Sequence, residues 1–275
     1  MKKYFIKLKT GESLKLIDCL KQYLKFDNDF ALKLITDGSV WVNSKRNKNP
    51  QLLITTELIY IYKPDLPIPE YTLPDNLIIF EDDFFVIVYK EGGVDTVPNP
   101  FSDKNCLMWG VEKYLRKNGL DYSVSPINRL DKPTKGLVFF AKTKEMESKL
   151  HNLFRDRKIK KLYLAITPKF DLNKNEMLIK DDLEWKGKVQ EAVSYIKFIK
   201  EKESLFYFQV LPLTGRTHQI RKHFKSYLTP IKGDAMYGNY STIDELELIC
   251  FYYRFYHPVT KKRMEISYLP EKYKC

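Results

Sequence analysis

The stretch "SPINRLDKPTKGLVFFAKT", residues 125–143, sets Asp131 between Arg129 and Lys132, just ahead of a dry run from Leu137 to Ala141. A carboxylate beside such a run is costly to ionise unless a cation or hydrogen-bond donors stabilise it. Taken alone, Asp131 reads as a turn residue. A metal ligand and a reacting nucleophile are the other roles open to it. The metal role finds no partners. The four cysteines (Cys19, Cys106, Cys250 and Cys275) contain no CxxC pair, and His151, His218, His223 and His257 fall outside HExxH spacing. Cations are at hand, since "LTGRTHQIRKHF" supplies Arg216 and Arg221. Tyr163 in "KLYLAIT" reads, by itself, as an inward aromatic of a strand.

Positioning such groups requires a sheet. "LVFFA" is apolar on both faces, which predicts a central strand with Asp131 at its mouth. "LIIFEDDFFVIVYK" is a hairpin signal, two apolar runs around an acidic turn. "SDKNCLMWGVEKYLRKNG" predicts a helix with Ser102 as its cap and Gly119 as its stop, and "TKEMESKLHNLFRDRKIKK" predicts a second helix capped by Thr143. "AVSYIKFIKEKESLFYFQVLPL" reads as a hairpin turning at "KEKES". Strands joined by hairpins with few helices predict an α+β fold with a mixed, mainly antiparallel central sheet.

The N-terminal part has a different grammar. "SLKLIDCLKQYLK" places Leu14, Ile17, Leu24 and Cys19 or Leu20 on one helical face. "DNDFALKLITDG" predicts a capped helix ending at Gly38, followed by a strand, the basic turn "NSKRNKNP" and a second β-rich stretch. The prolines of "PDLPIPEYTLPDN" predict a linker. The expected organisation is therefore residues 1–63, a linker over 64–76, and a larger domain over 77–275.

Four segments, in order, resemble the RluA-type pseudouridine synthases: "NRLDKPTKGLVFFAKT", "RKIKKLYLAI", "LTGRTHQIRKHF…PIKGDAMYG" and "LICFYYRFYHPVT". The resemblance spans about residues 77–270 and implies the pseudouridine synthase fold. It further implies an RNA isomerase that converts uridine to its C-glycoside without a cofactor. On this resemblance Asp131 is the nucleophile, which attacks either the uracil ring or the sugar. Arg221 is the cation paired with it, and Tyr163 stacks on the target base and assists proton transfer. Leu248 closes the pocket and Arg129 takes the place of the extruded base. The block containing Arg216, Thr217, His218 and Gln219 lines the substrate. Asn128, Lys135, "KEGG" at 90–93 and the pair Ile249–Cys250 depart from the family's usual His, Ser, Lys-Pro-x-Gly and His-Ala. Asp131, Tyr163 and Arg221 are untouched by these departures.

The first segment resembles the S4 RNA-binding domain through its two short helices, "ITDGSVWVNSK" and "LIYIY". That resemblance makes Lys33, Lys45, Arg46 and Lys48 candidate phosphate contacts. Charge agrees with a polyanion partner. The formal net charge is +12, and residues 1–63 carry half of it with 12 Lys and Arg against 6 Asp and Glu. The partner expected is structured RNA, with large-subunit ribosomal RNA favoured over transfer RNA. "MKKYFIKLKT" lacks the apolar core of a signal peptide, and no apolar run reaches membrane-spanning length, so a reduced cytoplasmic monomer is expected. The competing reading is a non-catalytic RNA-binding or ribosome-assembly factor on the same fold.

Overall fold

In a computed structural model, which describes residues 2–7, 13–55, 58–63, 69–120, 123–241 and 244–274, the chain divides into two units. One is Met1–Leu73 with Val97–Tyr114, and the other is Pro74–Thr96 with Leu115–Cys275. The break at 73/74 falls inside the proline-rich stretch, of which residues 64–68 lie outside the described residues.

The first unit holds strands β1 (Lys2–Lys7) and β2 (Leu14–Lys15), helices α1 (Leu16–Leu24) and α2 (Asn28–Thr36), and strands β3 (Val40–Val42), β4 (Lys45–Arg46), β5 (Leu53–Ile54) and β6 (Leu58–Lys63). Helix α3 (Leu107–Lys117) follows, and its residues up to Tyr114 group here. The antiparallel sheet runs β1-β6-β3-β4, and β2 pairs with β5. One face of the sheet and both helices enclose Ile6, Leu16, Cys19, Leu20, Ala31, Leu34, Ile35, Val40, Ile59 and Ile61. Asp27 caps α2 by accepting from the Phe30 amide at 2.8 Å, which satisfies one of the free amides at the helix start. Gly38, just past α2, adopts a left-handed φ of +76°.

Three expectations need correction. Leu14 lies in a strand, so α1 begins at Leu16, not within "SLK". The basic turn is shorter than expected: Asn43 and Ser44, both at positive φ, make it, and Lys45 and Arg46 already form an edge strand. Residues 97–114 group with the first unit, although the sequence places them in the larger domain. The reason is polar: the Trp41 indole donates to the Pro100 carbonyl at 3.3 Å, Ser39 to that of Phe101, and Arg46 to that of Asn99.

The second unit is one large sheet. Its strands are β7 (Ile78–Glu81), β8 (Phe85–Lys90), β9 (Ser125–Pro126), β10 (Lys135–Ala141), β11 (Lys160–Pro168), β12 (Glu176–Trp185), β13 (Lys188–Lys202), β14 (Leu205–Pro212), β15 (Leu248–Tyr256) and β16 (Arg263–Ser267). The order is β12-β13-β14-β11-β15-β10-β8-β7, with β16 on β15 and β9 on β10. Only the β10–β15 pairing is parallel among the described pairs, so the sheet is mixed and mainly antiparallel. Every residue of β10 is buried, as its double-sided apolarity requires. Gly136, at φ +122°, lets β10 approach β15; a Cβ there would lie 2.2 Å from the Cys250 carbonyl oxygen. Helices α4 (Lys144–Arg155) and α5 (Gln219–Tyr227) complete the unit. Thr143 caps α4, accepting from the Met146 amide at 3.2 Å. Ser102, by contrast, caps a turn, accepting from the amides of Lys104 and Asn105, and α3 starts only at Leu107.

Candidate active site

Asp131 sits in the loop between β9 and β10. Its own carbonyl closes a turn with the Thr134 amide at 2.9 Å. The loop is held from both sides. Thr96 exchanges hydrogen bonds with Leu130, donating to its carbonyl at 2.9 Å and accepting from its amide at 3.3 Å. The fully buried Lys90 ammonium donates to the carbonyls of Glu91, Val94 and Lys132 at 3.0, 2.7 and 2.9 Å. Asn128, where the family has His, accepts from the Phe139 amide and donates to the Tyr253 hydroxyl, both at 2.9 Å. Asn128 therefore ties the loop to β10 and β15.

Helix α5 brings the cations. His218 enters it in the left-handed conformation, φ 55°, and its Nε2 lies 3.7 Å from Asp131 Oδ2. Its Nδ1 meets the Tyr237 hydroxyl at 2.9 Å. Burial pulls the imidazole below its usual range, against the opposing pull of Asp131. Arg221, one turn on, is buried and makes a two-point contact with Asp234, Nε to Oδ2 at 2.8 Å and Nη2 to Oδ1 at 2.6 Å. Its third nitrogen, Nη1, is 3.8 Å from Asp131 Oδ2, and the guanidinium lies 5.0 Å from the Tyr237 ring centre. The expected pairing with Asp131 is thus the weaker half of a three-member arrangement. Burial raises the Asp234 carboxyl, but the hydrogen bonds and charge of Arg221 outweigh it and hold it below the usual carboxylate range.

Tyr163 enters from β11 at a register slip: Leu162 pairs with Tyr252, but Tyr163 pairs with Cys250. Such a bulge turns a strand side chain away from its ladder position. Burial first, then Cys250 and Asp131, push the phenol well above its ordinary range. It is a hydrogen-bond donor at neutral pH, not an anion.

These groups converge. Asp131, Tyr163, Arg221, His218, Arg216, Arg129 and Leu248 line one cavity of about 120 Å³, together with Lys161, Thr134 and Thr214. Leu248 is buried and gives the cavity an apolar wall; Arg129 is exposed at its edge. Thr217 is half-buried beside it.

Gln219, expected among the substrate contacts, also lines the cavity. Its amide oxygen accepts from Thr214 Oγ1 (2.7 Å) and the Arg216 amide (3.0 Å), and its nitrogen donates to the Val193 carbonyl (3.0 Å) and Ser194 Oγ (2.9 Å). All four positions are used within the protein, so it braces the 214–216 turn. Two residues of the site escaped the sequence reading. Asp234 stands in "KGDAMYG" with nothing local to mark its role, and Lys161 is the cation two before Tyr163. Of the first unit's candidates, Lys33 and Lys45 are exposed. Arg46 is half-buried, 5.1 Å from the Trp41 ring centre, donates to Asn99 and lies 4.0 Å from Asp103; Lys48 also pairs with Asp103. Lys48, like Lys33 and Lys45, is exposed.

In chemical terms the cavity presents one carboxylate beside a guanidinium, an imidazole and a phenol, with a hydrophobic wall. Among the described residues no cluster of His, Cys, Asp and Glu could hold a metal ion, and no helix is long and apolar enough to cross a membrane. Such a site suits nucleophilic attack by an oxygen on an uncharged ring.

Known proteins resemble this chain. Residues 84–226 match the family described as RNA pseudouridylate synthase. The ribosomal large subunit pseudouridine synthase C of Rickettsia bellii is 30% identical over 235 residues, 75% of this chain and 76% of that one. The dual-specificity RNA pseudouridine synthase RluA of Vibrio cholerae is 30% identical over 196 residues, 66% of this chain and 77% of that one. The solved structure of human RNA pseudouridylate synthase domain containing 4 shares the fold, with a TM-score of 0.58 at 20% identity over 72% of this chain and 90% of that one. An aspartate-bearing loop closed over by α5, on this sheet and with these relatives, places the chain in the RNA pseudouridylate synthase family.

Proposed function

We propose that this enzyme isomerises one or more uridines of large-subunit ribosomal RNA in the cytoplasm, acting as a monomer, with Asp131 as its nucleophile. The observation that carries the reading is the convergence of Asp131, Arg221 and Tyr163 on one cavity. A uridine extruded from its stack, at a cost of a few kcal/mol, enters that cavity. Asp131 attacks the ring or the sugar, the N1–C1′ bond breaks, and the freed uracil turns. C5 then bonds to C1′, the bond to the Asp131 oxygen breaks and returns its electron pair to the carboxylate, C5 loses its proton and N1 gains one, so substrate and product have the same formula and the enzyme is regenerated. The Leu248 wall excludes water while the glycosidic bond is open. Tyr163, kept protonated, donates a hydrogen bond to the base and offers it a π-face. Arg129, at the cavity edge, fills the gap the nucleotide leaves.

Large-subunit RNA is favoured because the Rickettsia relatives carry that substrate in their names. Lys33 and Lys45 of an S4-like first unit are the cations proposed to meet RNA phosphates. Purified enzyme should convert uridine in ribosomal RNA from cells lacking the gene, and Asp131→Asn should abolish conversion while RNA binding persists. Turnover by Asp131→Asn would end the nucleophile assignment. Conversion of transfer RNA alone would overturn the substrate.

A further inference from the structure

The sheet of the first unit has a second face, and its composition is unlike a solvated surface. Pairing aligns Phe5 with Tyr60, Tyr60 with Trp41 and Trp41 with Arg46, and sets Lys3 beside Tyr62. Strand alternation therefore puts these six residues on one side, while Ile6, Ile59, Ile61, Val40 and Val42 face the core. Phe5 is 70% exposed. The Lys3 ammonium lies 4.5 Å from the Tyr60 ring centre and 5.4 Å from that of Tyr62. Trp41 and Tyr62 meet edge to face at 6.3 Å.

Part of this strip is covered within the same unit. Trp41 donates to Pro100, Tyr62 meets Phe101 at 5.5 Å, and Arg46 is held by Asn99. Lys3, Phe5 and Tyr60 make the remaining part. Single exposed apolar residues are ordinary on any protein. An aromatic row with a cation over it is not ordinary, and no carboxylate stands at a strand position on this face. Aromatic rings flanked by cations hold unpaired nucleotides, since every base has a π-face and every nucleotide a phosphate. The excess of positive charge in residues 1–63 favours the same partner.

We propose that this face binds an unpaired stretch of RNA, with one base stacked on Phe5 and the Lys3 ammonium meeting the adjoining phosphate. The site is separate from the cavity around Asp131 and from the exposed lysines Lys33 and Lys45. It rests on the chain's membership of an RNA-modifying family, and it supplies that enzyme with a contact to single-stranded RNA in addition to the modified nucleotide's own pocket.

The test is fluorescence anisotropy of the full chain with a labelled, unstructured oligouridine of about ten nucleotides, a length in the range of single-strand modules. A duplex of the same length serves as comparison. Phe5→Ala should weaken single-strand binding about tenfold, as loss of one base–aromatic stack does, and leave duplex binding as it was. Phe5→Trp should keep or tighten it, and Lys3→Ala should flatten its salt dependence. Equal single-strand affinities for wild type, Phe5→Ala and Phe5→Trp would overturn the proposal. So would a change of oligomeric state with Phe5→Ala alone, which would make the face a contact between copies. Wild-type turnover is measured on the same preparation. Phe5-dependent binding without turnover would count against the catalytic reading and leave this one standing; turnover with Phe5-independent binding would do the reverse.

Discussion

Arg221 is gripped by Asp234 at two points, 2.8 and 2.6 Å, and only its third nitrogen faces Asp131, at 3.8 Å. Asp234 is itself fixed by the amides of Met236 and Tyr237, each at 3.1 Å. The guanidinium is thus aimed by a residue that does not line the cavity. Asp234→Ala leaves a buried cation without its partner, a change of roughly 3–5 kcal/mol in stability. Asp234→Asn keeps the shape and should lower kcat by about ten- to a hundredfold, the loss of one charged hydrogen bond, with a smaller effect on KM. Single-turnover kinetics and thermal unfolding check both; an unchanged kcat in Asp234→Asn would refute the aiming role.

His218 predicts the acid side of the pH profile. Burial lowers its pKa, with Arg221 and Lys222 adding to the effect and Asp131 and Asp234 opposing it, so the ring gives up its proton more readily than a free imidazole. Below that lowered value both nitrogens carry protons, and the Nε2–H, 3.7 Å from Asp131, forms an ion pair that competes with attack on the uridine. Wild-type kcat should fall in acid. His218→Gln, which cannot charge, should show a flatter acid limb, read from rates across pH 5–8.

Lys135 replaces the family's serine with a buried cation that donates to Glu245 at 2.9 Å, Glu247 at 3.3 Å and the Tyr273 hydroxyl at 2.8 Å. Hydrogen bonds from Lys135 and then Lys272 hold Glu245 down to about 2. A depressed acid stabilises the fold above its ordinary pKa of about 4.3, and that contribution is lost as pH falls through the folded value. Lys135→Met should therefore be less stable than wild type near neutrality, with the gap closing between about pH 4.3 and pH 2. Glu245 is largely exposed, so the pH-dependent part is modest. Urea unfolding at several pH values measures it.

His223, on the same helix as Arg221, is fully buried, and neither ring nitrogen has a protein partner among the described residues. Burial lowers its pKa. The unfolded chain then binds a proton that the folded one refuses, so stability falls as pH drops below about 6.5, the ordinary histidine value. His223→Phe should remove that slope and match or exceed wild-type stability at pH 7. A slope that survives the substitution would assign the acid sensitivity elsewhere.

What the sequence made legible followed from patterns that are complete over a few residues. The double-sided apolarity of "LVFFA" was enough to place β10 centrally, and Thr143 was enough to start α4. The hairpin at "KEKES" turns at Glu203 and Ser204, both at positive φ. Hidden from such reading were features decided by distant partners. β1 is a strand because β6, more than fifty residues on, pairs with it. Arg46 looked like a free basic residue until Asn99 and Asp103 came to it. Of the site, Asp131, Tyr163, Arg216, His218 and Arg221 were legible through their motifs and do share the cavity. Asp234 was not, because its importance lies in what it grips and not in what it touches in the cavity.

Lys90 ties three separate peptide groups into one knot, drawing the end of β8 and the loop of Asp131 onto a single nitrogen. An ammonium has three hydrogens for those three oxygens, whereas a neutral amine has two. Burial lowers the Lys90 pKa to about 7, so the three-point tie between the two stretches weakens as the amine loses its proton. Amide exchange around Gly93 and around Thr134 should rise and fall in concert, marking the nucleophile's loop as the far end of a buried hinge pin.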